Sequence, residues 1–177
     1  DLTLVLANIH DPHNVSAIYR SCDAFGVPKV HLYYTDTAFP ILGGKSSGSA
    51  RKWVESVRHQ DAQEMMRDIR CDLGERAQVL ATGFSEKARP LNSFDLTRPT
   101  AIMFGNEHRG VDEELVAAAD AEAYIPMQGM VQSLNVSVAA AVSLFEAWRQ
   151  RNEAGLYDAP SYPKEELEER IQAWLKK

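Results

Sequence analysis

Four short runs, LTLVLANI at 2–9, KVHLYY at 29–34, QVLATG at 78–83 and TAIMFG at 100–105, are rich in leucine and β-branched residues and are set apart by segments with helical spacing. A chain that alternates strand and helix in this way closes as a mostly parallel sheet with helices packed on both faces, an α/β fold. The first unit is explicit: after the opening strand, DPHNVSAIYRSCDAFG places Val15, Ile18, Cys22 and Phe25 on one helical face and ends at Gly26. Further strands are predicted at 53–57 and 122–127, and helices near 61–73, 112–119 and 133–152. In sheets of this kind ligands bind beyond the carboxyl ends of the strands.

With 177 residues, 45 % of them hydrophobic, the chain fits one core, and residues 1–152 are expected to form a single domain. Residues 153–177 read as a tail whose last segment, PKEELEERIQAWLKK, carries Leu167, Ile171, Trp174 and Leu175 at helical spacing and docks either on its own domain or on a partner. The longest apolar stretch, Val136 to Phe145, contains two serines and is too short to cross a bilayer. No charged-then-apolar leader opens the sequence, so we expect a soluble, cytoplasmic protein, although a start at Asp1 rather than Met leaves room for residues upstream. Cys22 and Cys71 lack the paired spacing of a zinc site or a disulfide framework, and no metal is expected.

A formal charge of −6 argues mildly against a polyanionic partner. Its distribution is uneven: residues 1–70 balance at eight basic and eight acidic residues, whereas 71–150 carry six against eleven. Within the neutral part, KSSGSARKWVESVRH holds Lys45, Arg51, Lys52 and Arg58 against Glu55 alone, which is either a local basic patch or ordinary surface charge. The Gly/Ser-rich loop before and within it is longer than a plain connection needs. Its FPILGGKSS resembles a phosphate-binding loop but has Phe39 where the pattern requires glycine. His10, Asp11 and His13 lie close together, but without a third ligand at sensible spacing they read as loop residues in solvent.

Three polar islands remain, each at the end of a predicted strand: NVSAIYR (14–20), FGNEHRG (104–110) and IPMQGMVQSLNVS (125–137). Arg20 lies about 240° around a regular helix from Asn14, so the two converge only if Asn14 sits at the cap while Arg20 projects; the alternative is a capping Asn14 with a surface Arg20 paired with Asp23. The second island is a turn bracketed by Gly105 and Gly110, which is either simple or bared for close approach of a ligand. The third leads into a helix, Val136 to Trp148, that is apolar around most of its circumference. Ser133 or Asn135 can cap it, and Gln128 and Gln132 then supply more hydrogen-bonding groups than a cap needs, which points to a ligand.

In order and spacing, NVSAIYR, FGNEHRG and IPMQGMVQSLNVSVAAA resemble the three motifs of the SpoU/TrmH group of SPOUT RNA 2'-O-ribose methyltransferases, over roughly residues 2–152. DPHNVSAIYRSCDAFGV and GMVQSLNVSVA look most like the transfer-RNA enzymes that methylate guanosine 18 of the D-loop. The resemblance implies an α/β fold with a C-terminal deep trefoil knot, a homodimer with active sites at the subunit interface, and S-adenosylmethionine as cofactor. It implies cofactor contacts at Thr82, Gly83, Gly105, Ile125, Met127 and Leu134. It also carries catalytic or supporting roles onto Asn14, Arg20, Glu107, Ser133 and Asn135.

The reaction implied is in-line transfer of a sulfonium methyl group to a ribose 2'-oxygen, which requires no metal because the cofactor already carries the positive charge. Arg20 would contact the ribose hydroxyl and the adjacent phosphate; with a guanidinium pKa above ~12, positioning and charge stabilisation suit it better than a role as base. Asn14 would hold Arg20 or the ribose, while Glu107, Ser133 and Asn135 would fix the cofactor loops. Lys45, Arg51, Lys52 and Arg58 are the expected RNA surface. Methylation of ribosomal RNA is the nearest alternative; the transfer-RNA enzymes of the family carry a further N-terminal helix and a longer C-terminal region that help bind transfer RNA. A non-catalytic RNA-binding scaffold is the alternative of another class.

Overall fold

The computed structural model describes residues 1–39 and 50–176. In chain order the elements are β1 (Leu2–Ala7), α1 (Pro12–Ala24), β2 (Lys29–Tyr33), β3 (Glu55–His59), α2 (Ala62–Leu73), β4 (Gln78–Thr82), β5 (Arg89–Pro90), β6 (Thr100–Phe104), α3 (Glu113–Ala118), β7 (Ala121–Tyr124), α4 (Val136–Glu153) and α5 (Lys164–Leu175). Among the described residues seven strands form one sheet in the order β3-β2-β1-β6-β4-β7-β5, and every pair is parallel. The expected α/β architecture is therefore present.

The sheet is covered on both faces, and the strand pleat decides which side chain goes where. Leu2, Leu4 and Leu6 of β1 share one cluster with Ile102 and Phe104 of β6, Val15, Ile18 and Cys22 of α1, and Leu144 and Ala147 of α4. The intervening Val5 and Ala7 turn to the other face with Ala101, Met103, Met65 and Ile69 of α2, and Leu115 of α3. All six residues of β1 are buried, which explains its nearly unbroken apolar run. Each fully buried Leu or Val there contributes about 1.5–3 kcal/mol.

Local chemistry fixes the helix starts. Asp11 caps α1, its side chain accepting from the His13 amide at 2.8 Å, and Pro12 occupies the first helical position, where a missing N–H costs nothing. Asn14 is thus not the cap that the sequence pattern suggested; Asp11 takes that position and Asn14 lies in the first turn. Asp61 caps α2 through the Glu64 amide, and Asn135 caps α4 through the Ser137 amide.

Four differences from the sequence expectation have physical causes. The edge strand β3 starts at Glu55, because residues 50–54 close a tight turn in which the Val54 amide donates to the Ala50 carbonyl at 3.0 Å. The ladder of β7 ends at Tyr124, and Ile125 to Met127 leave the sheet. The two-residue β5 has no apolar pattern by which to be recognised. Finally, α4 buries only the face bearing Ala140, Ser143, Leu144, Ala147 and Arg151, while Val138, Val142, Phe145 and Trp148 form an exposed apolar stripe on the chain. The tail helix α5 buries none of its residues. Among the described residues no helix is long and apolar enough to cross a membrane.

Candidate active site

A cleft of about 590 Å³ opens beyond the carboxyl ends of β4, β6 and β7, where a parallel sheet places ligand sites. Its walls contain Thr82 and Gly83 from the end of β4, Gly105 and Glu107 from the turn after β6, Ile125 and Met127 from the segment after β7, and Ser133, Leu134 and Asn135 ahead of α4. Two of the three polar islands, with every position expected to contact the cofactor, thus meet at one cavity.

The first island joins them through hydrogen bonds. The Asn14 amide nitrogen donates to the Glu107 carboxylate at 2.9 Å, and its oxygen accepts from the Asn135 side chain at 3.1 Å. Glu107 also accepts the His10 and Asp11 amides, at 3.0 and 3.3 Å, so a carboxylate holds the two residues that lead into α1, beside the positive end of the helix. Asn135 meanwhile accepts from the Ser137 amide and hydroxyl at 2.9 and 2.6 Å. Side chains separated by 93 and 121 positions in sequence are therefore tied in one row, Glu107–Asn14–Asn135, at the lip of the cleft. Partial burial pushes the Glu107 carboxyl up; the hydrogen bonds from Asn14 and from the His10 and Asp11 amides outweigh it and hold the group below its ordinary carboxylate value.

The turn carrying Glu107 is built by its glycines. A Cβ on Gly105 would lie 2.0 Å from the carbonyl carbon and oxygen of Gly110 and 2.2 Å from the Val111 nitrogen, so the bare backbone at Gly105 makes room for the returning chain. Gly110 has φ +75 and donates its amide to the Asn106 carbonyl at 2.8 Å. The Asn106 side chain accepts from the His108 amide at 2.9 Å and donates to the Asn8 carbonyl, also at 2.8 Å. At Gly83 a Cβ would come within 2.3 Å of Glu122 Oε2, so that glycine makes room for a side chain of the neighbouring strand.

Arg20 stands exposed on α1, outside the lining of this cleft. Its pairing with Asp23 is not made among the described residues. Of the basic patch, Lys52 is exposed at the end of the short helical turn Ala50–Lys52, which also contains Arg51. Arg58 is exposed on β3 with its guanidinium 5.0 Å from the centre of the Phe39 ring. Lys45 lies outside the described residues. His10 and His13 are exposed, and among the described residues no three His, Cys, Asp or Glu side chains gather in a way that could hold a metal ion.

Several groups at the site were not singled out from the sequence. Asn8, fully buried with φ 50, ties three strand ends: its side chain donates to Thr35 and Asp112 at 3.2 and 2.9 Å and accepts the Thr35 amide at 3.0 Å. An asparagine directly after a predicted strand is the available signal, since Asn tolerates the left-handed region better than other side chains. Arg109 lines the cleft and pairs with Asp36 at 2.7 Å, and Glu122 lines it while accepting from the Ser85 hydroxyl at 2.6 Å. Ser143 of α4 also lines the cleft, buried, and its hydroxyl has no hydrogen-bond partner among the described residues.

Comparison with known proteins locates this arrangement. The SpoU rRNA methylase family matches residues 1–145. The tRNA (guanosine(18)-2'-O)-methyltransferase of Thermus thermophilus is 48 % identical over 178 residues, covering 100 % of this chain and 89 % of that protein. Among solved structures, the TrmH/SpoU tRNA modifying enzyme of A. aeolicus superposes with a TM-score of 0.89 at 36 % identity, covering 98 % of this chain and 87 % of that one. The SpoU methyltransferase AviRb of Streptomyces viridochromogenes, in complex with AdoMet, superposes with a TM-score of 0.74 at 27 % identity, covering 85 % of this chain and 57 % of that one.

Proposed function

The chain belongs to the SpoU methylase family, and on that premise we propose that it transfers the methyl group of S-adenosylmethionine to a ribose 2'-hydroxyl of transfer RNA, at guanosine 18 of the D-loop. The observation that carries this reading is the row Glu107–Asn14–Asn135, which joins three distant stretches at one cleft. The cleft fits the cofactor: about 590 Å³ lies within the ~300–1,000 Å³ range of small-molecule sites, and its wall holds a buried hydroxyl that has no partner among the described residues. When bound, S-adenosylmethionine supplies an electrophilic methyl group on a positively charged sulfur. Thr82, Gly83, Gly105, Ile125, Met127 and Leu134 are the residues proposed to hold it.

The chain's own work is alignment. Arg20 is proposed to contact the ribose hydroxyl and the neighbouring phosphate, holding the nucleophile in line and offsetting charge, since an aligned pair of reactants gains much of the rate from proximity alone. Glu107 and Asn135, each engaged by Asn14, keep the loops after β6 and before α4 in register, and Ser133 supports the same loop. Because Arg20 stands outside the cleft of its own chain, the proposal includes a homodimer in which sites are completed across the interface. The exposed stripe Val138, Val142, Phe145 and Trp148 supports this, as does α5, whose Ile171, Trp174 and Leu175 are exposed.

The finer architecture belongs to the same proposal. Residues 1–152 form the catalytic domain, with 153–177 as a tail, and the chain after β6 is knotted. Lys45, Arg51, Lys52 and Arg58 form the RNA surface, and the protein works in the cytoplasm. The test is transfer of tritiated methyl groups from S-adenosylmethionine to unmodified total transfer RNA and to ribosomal RNA, followed by mapping of the labelled nucleotide. Label on the ribose of guanosine 18 is the expected result. Label on ribosomal RNA alone would reassign the substrate, and cofactor binding that never leads to transfer would favour a scaffold.

A further inference from the structure

We infer that Ser143 is the polar anchor of the cleft and hydrogen-bonds the purine base of the bound cofactor. The inference rests on the proposed cofactor and concerns a residue that neither the sequence pattern nor the family resemblance assigns. Ser143 lies on the inward face of α4, is 1 % exposed, and its Oγ has no hydrogen-bond partner among the described residues. A buried hydroxyl without a partner is uncommon in a folded protein and calls for an explanation. Serine within a helix ordinarily turns to solvent or bonds back to the preceding turn, and this one does neither.

The surroundings indicate the missing partner. The cleft that Ser143 lines is walled by the buried Leu91 and Phe104 and by Ala139 and Val136, one and two turns before Ser143 on α4, whereas its charged and amide residues Glu107, Asn135 and Arg109 are exposed and mark the lip. A ligand with one flat, weakly polar end and one charged end therefore has a single orientation that leaves no charge in the apolar part: the purine lies inward, and the amino acid moiety and the reacting methyl group lie at the lip. A purine edge presents both ring-nitrogen acceptors and an exocyclic amine donor, and a hydroxyl can serve either by rotating. Ser143 thereby gains a partner only in the liganded protein.

The test compares wild type with S143A by calorimetric titration with S-adenosylhomocysteine and with 5'-methylthioadenosine, which shares the adenosine but lacks the amino acid, and by thermal melts of the unliganded proteins. The expected result is that S143A weakens both ligands alike, by about tenfold, while its unliganded Tm equals or exceeds that of wild type, because removal of an unpaired hydroxyl relieves the free protein. A hydroxyl with a merely structural role would give the reverse, a lower unliganded Tm with affinities unchanged, and that result overturns the assignment. Loss of affinity for S-adenosylhomocysteine alone also overturns it, because the contact would then lie on the amino acid end. Failure of wild type to bind S-adenosylhomocysteine would sink both this inference and the cofactor reading beneath it. Normal wild-type binding with an indifferent S143A would sink only the role of Ser143.

Discussion

Replacing Glu107 by glutamine probes the junction of the three motifs with almost no change of shape. The wild-type carboxylate accepts three N–H donors, from His10, Asp11 and Asn14. In E107Q one acceptor oxygen becomes an NH2 group, so at least one donor faces another donor and the negative charge at the start of α1 is lost. One hydrogen bond to a charged acceptor is worth about 1.5–3 kcal/mol, and a charge at a helix start about 0.3–1 kcal/mol. Glu107 is exposed, so solvent screening brings the expected loss down to about 1–2 kcal/mol. For a domain of this size that corresponds to a Tm lower by roughly 3–6 °C at pH 7.

The pH dependence supplies the sharper check. The folded-state pKa of Glu107 lies below its ordinary value, so its stabilising contribution is complete above the unfolded pKa and is lost as pH falls through the folded one. Urea unfolding of both proteins from pH 7 downwards should therefore show the gap holding to about pH 5 and closing below the ordinary carboxylate pKa of ~4.3. A gap that persists undiminished into acid, or no gap at pH 7, would refute the reasoning that Glu107 acts as a charged clamp on α1.

Four further outcomes are expected. R20A should lower the methyl transfer rate by at least about 100-fold while leaving the affinity for S-adenosylhomocysteine within twofold of wild type, as measured by single-turnover assay and calorimetry. G105A drives a Cβ into the backbone of Gly110, where no side chain can yield; it should cost about 3 kcal/mol or more by denaturant unfolding and disorder the turn that carries Glu107. Neutralising Lys45, Arg51 and Lys52 together should weaken RNA binding and flatten its dependence on log salt by about 0.7–0.9 per lost phosphate contact, with cofactor affinity unchanged. F145E places a charge in the apolar stripe of α4 and should convert the proposed dimer to a monomer in sedimentation equilibrium, wild type sedimenting as a dimer.

Elements that depend on near neighbours in the chain were legible before the structure. The runs that became β1, β2, β4 and β6, and the helices α1, α2 and α4, follow from periodicity and breakers, and the three islands were marked by polar groups in excess of local need. Even the cap of α1 is readable: Asp11 followed by Pro12 is a stronger cap signal than Asn14, since proline suits the first helical position. What could not be read depends on contacts between distant residues. The position of β4 between β6 and β7 is a pairing choice that no single strand encodes. The crowding that demands glycine at 105 comes from Gly110 and Val111 folding back, and the exposure of the Val138–Trp148 stripe depends on which face of α4 meets the sheet. Ser143 looked like one small residue within an apolar helix; only its burial against the cleft gives its hydroxyl a meaning.

The most direct test of the central claim is a crystal structure of the protein with S-adenosylhomocysteine. The account predicts the ligand between the turn at 105–110 and the segment at 133–136, its purine against Ser143 and its sulfur beside the Glu107–Asn14–Asn135 row, with Arg20 of the other subunit at the open side of the cleft where the ribose hydroxyl enters. A ligand bound elsewhere on the chain, or an Arg20 guanidinium turned away from the mouth of the cleft in every subunit, would contradict it.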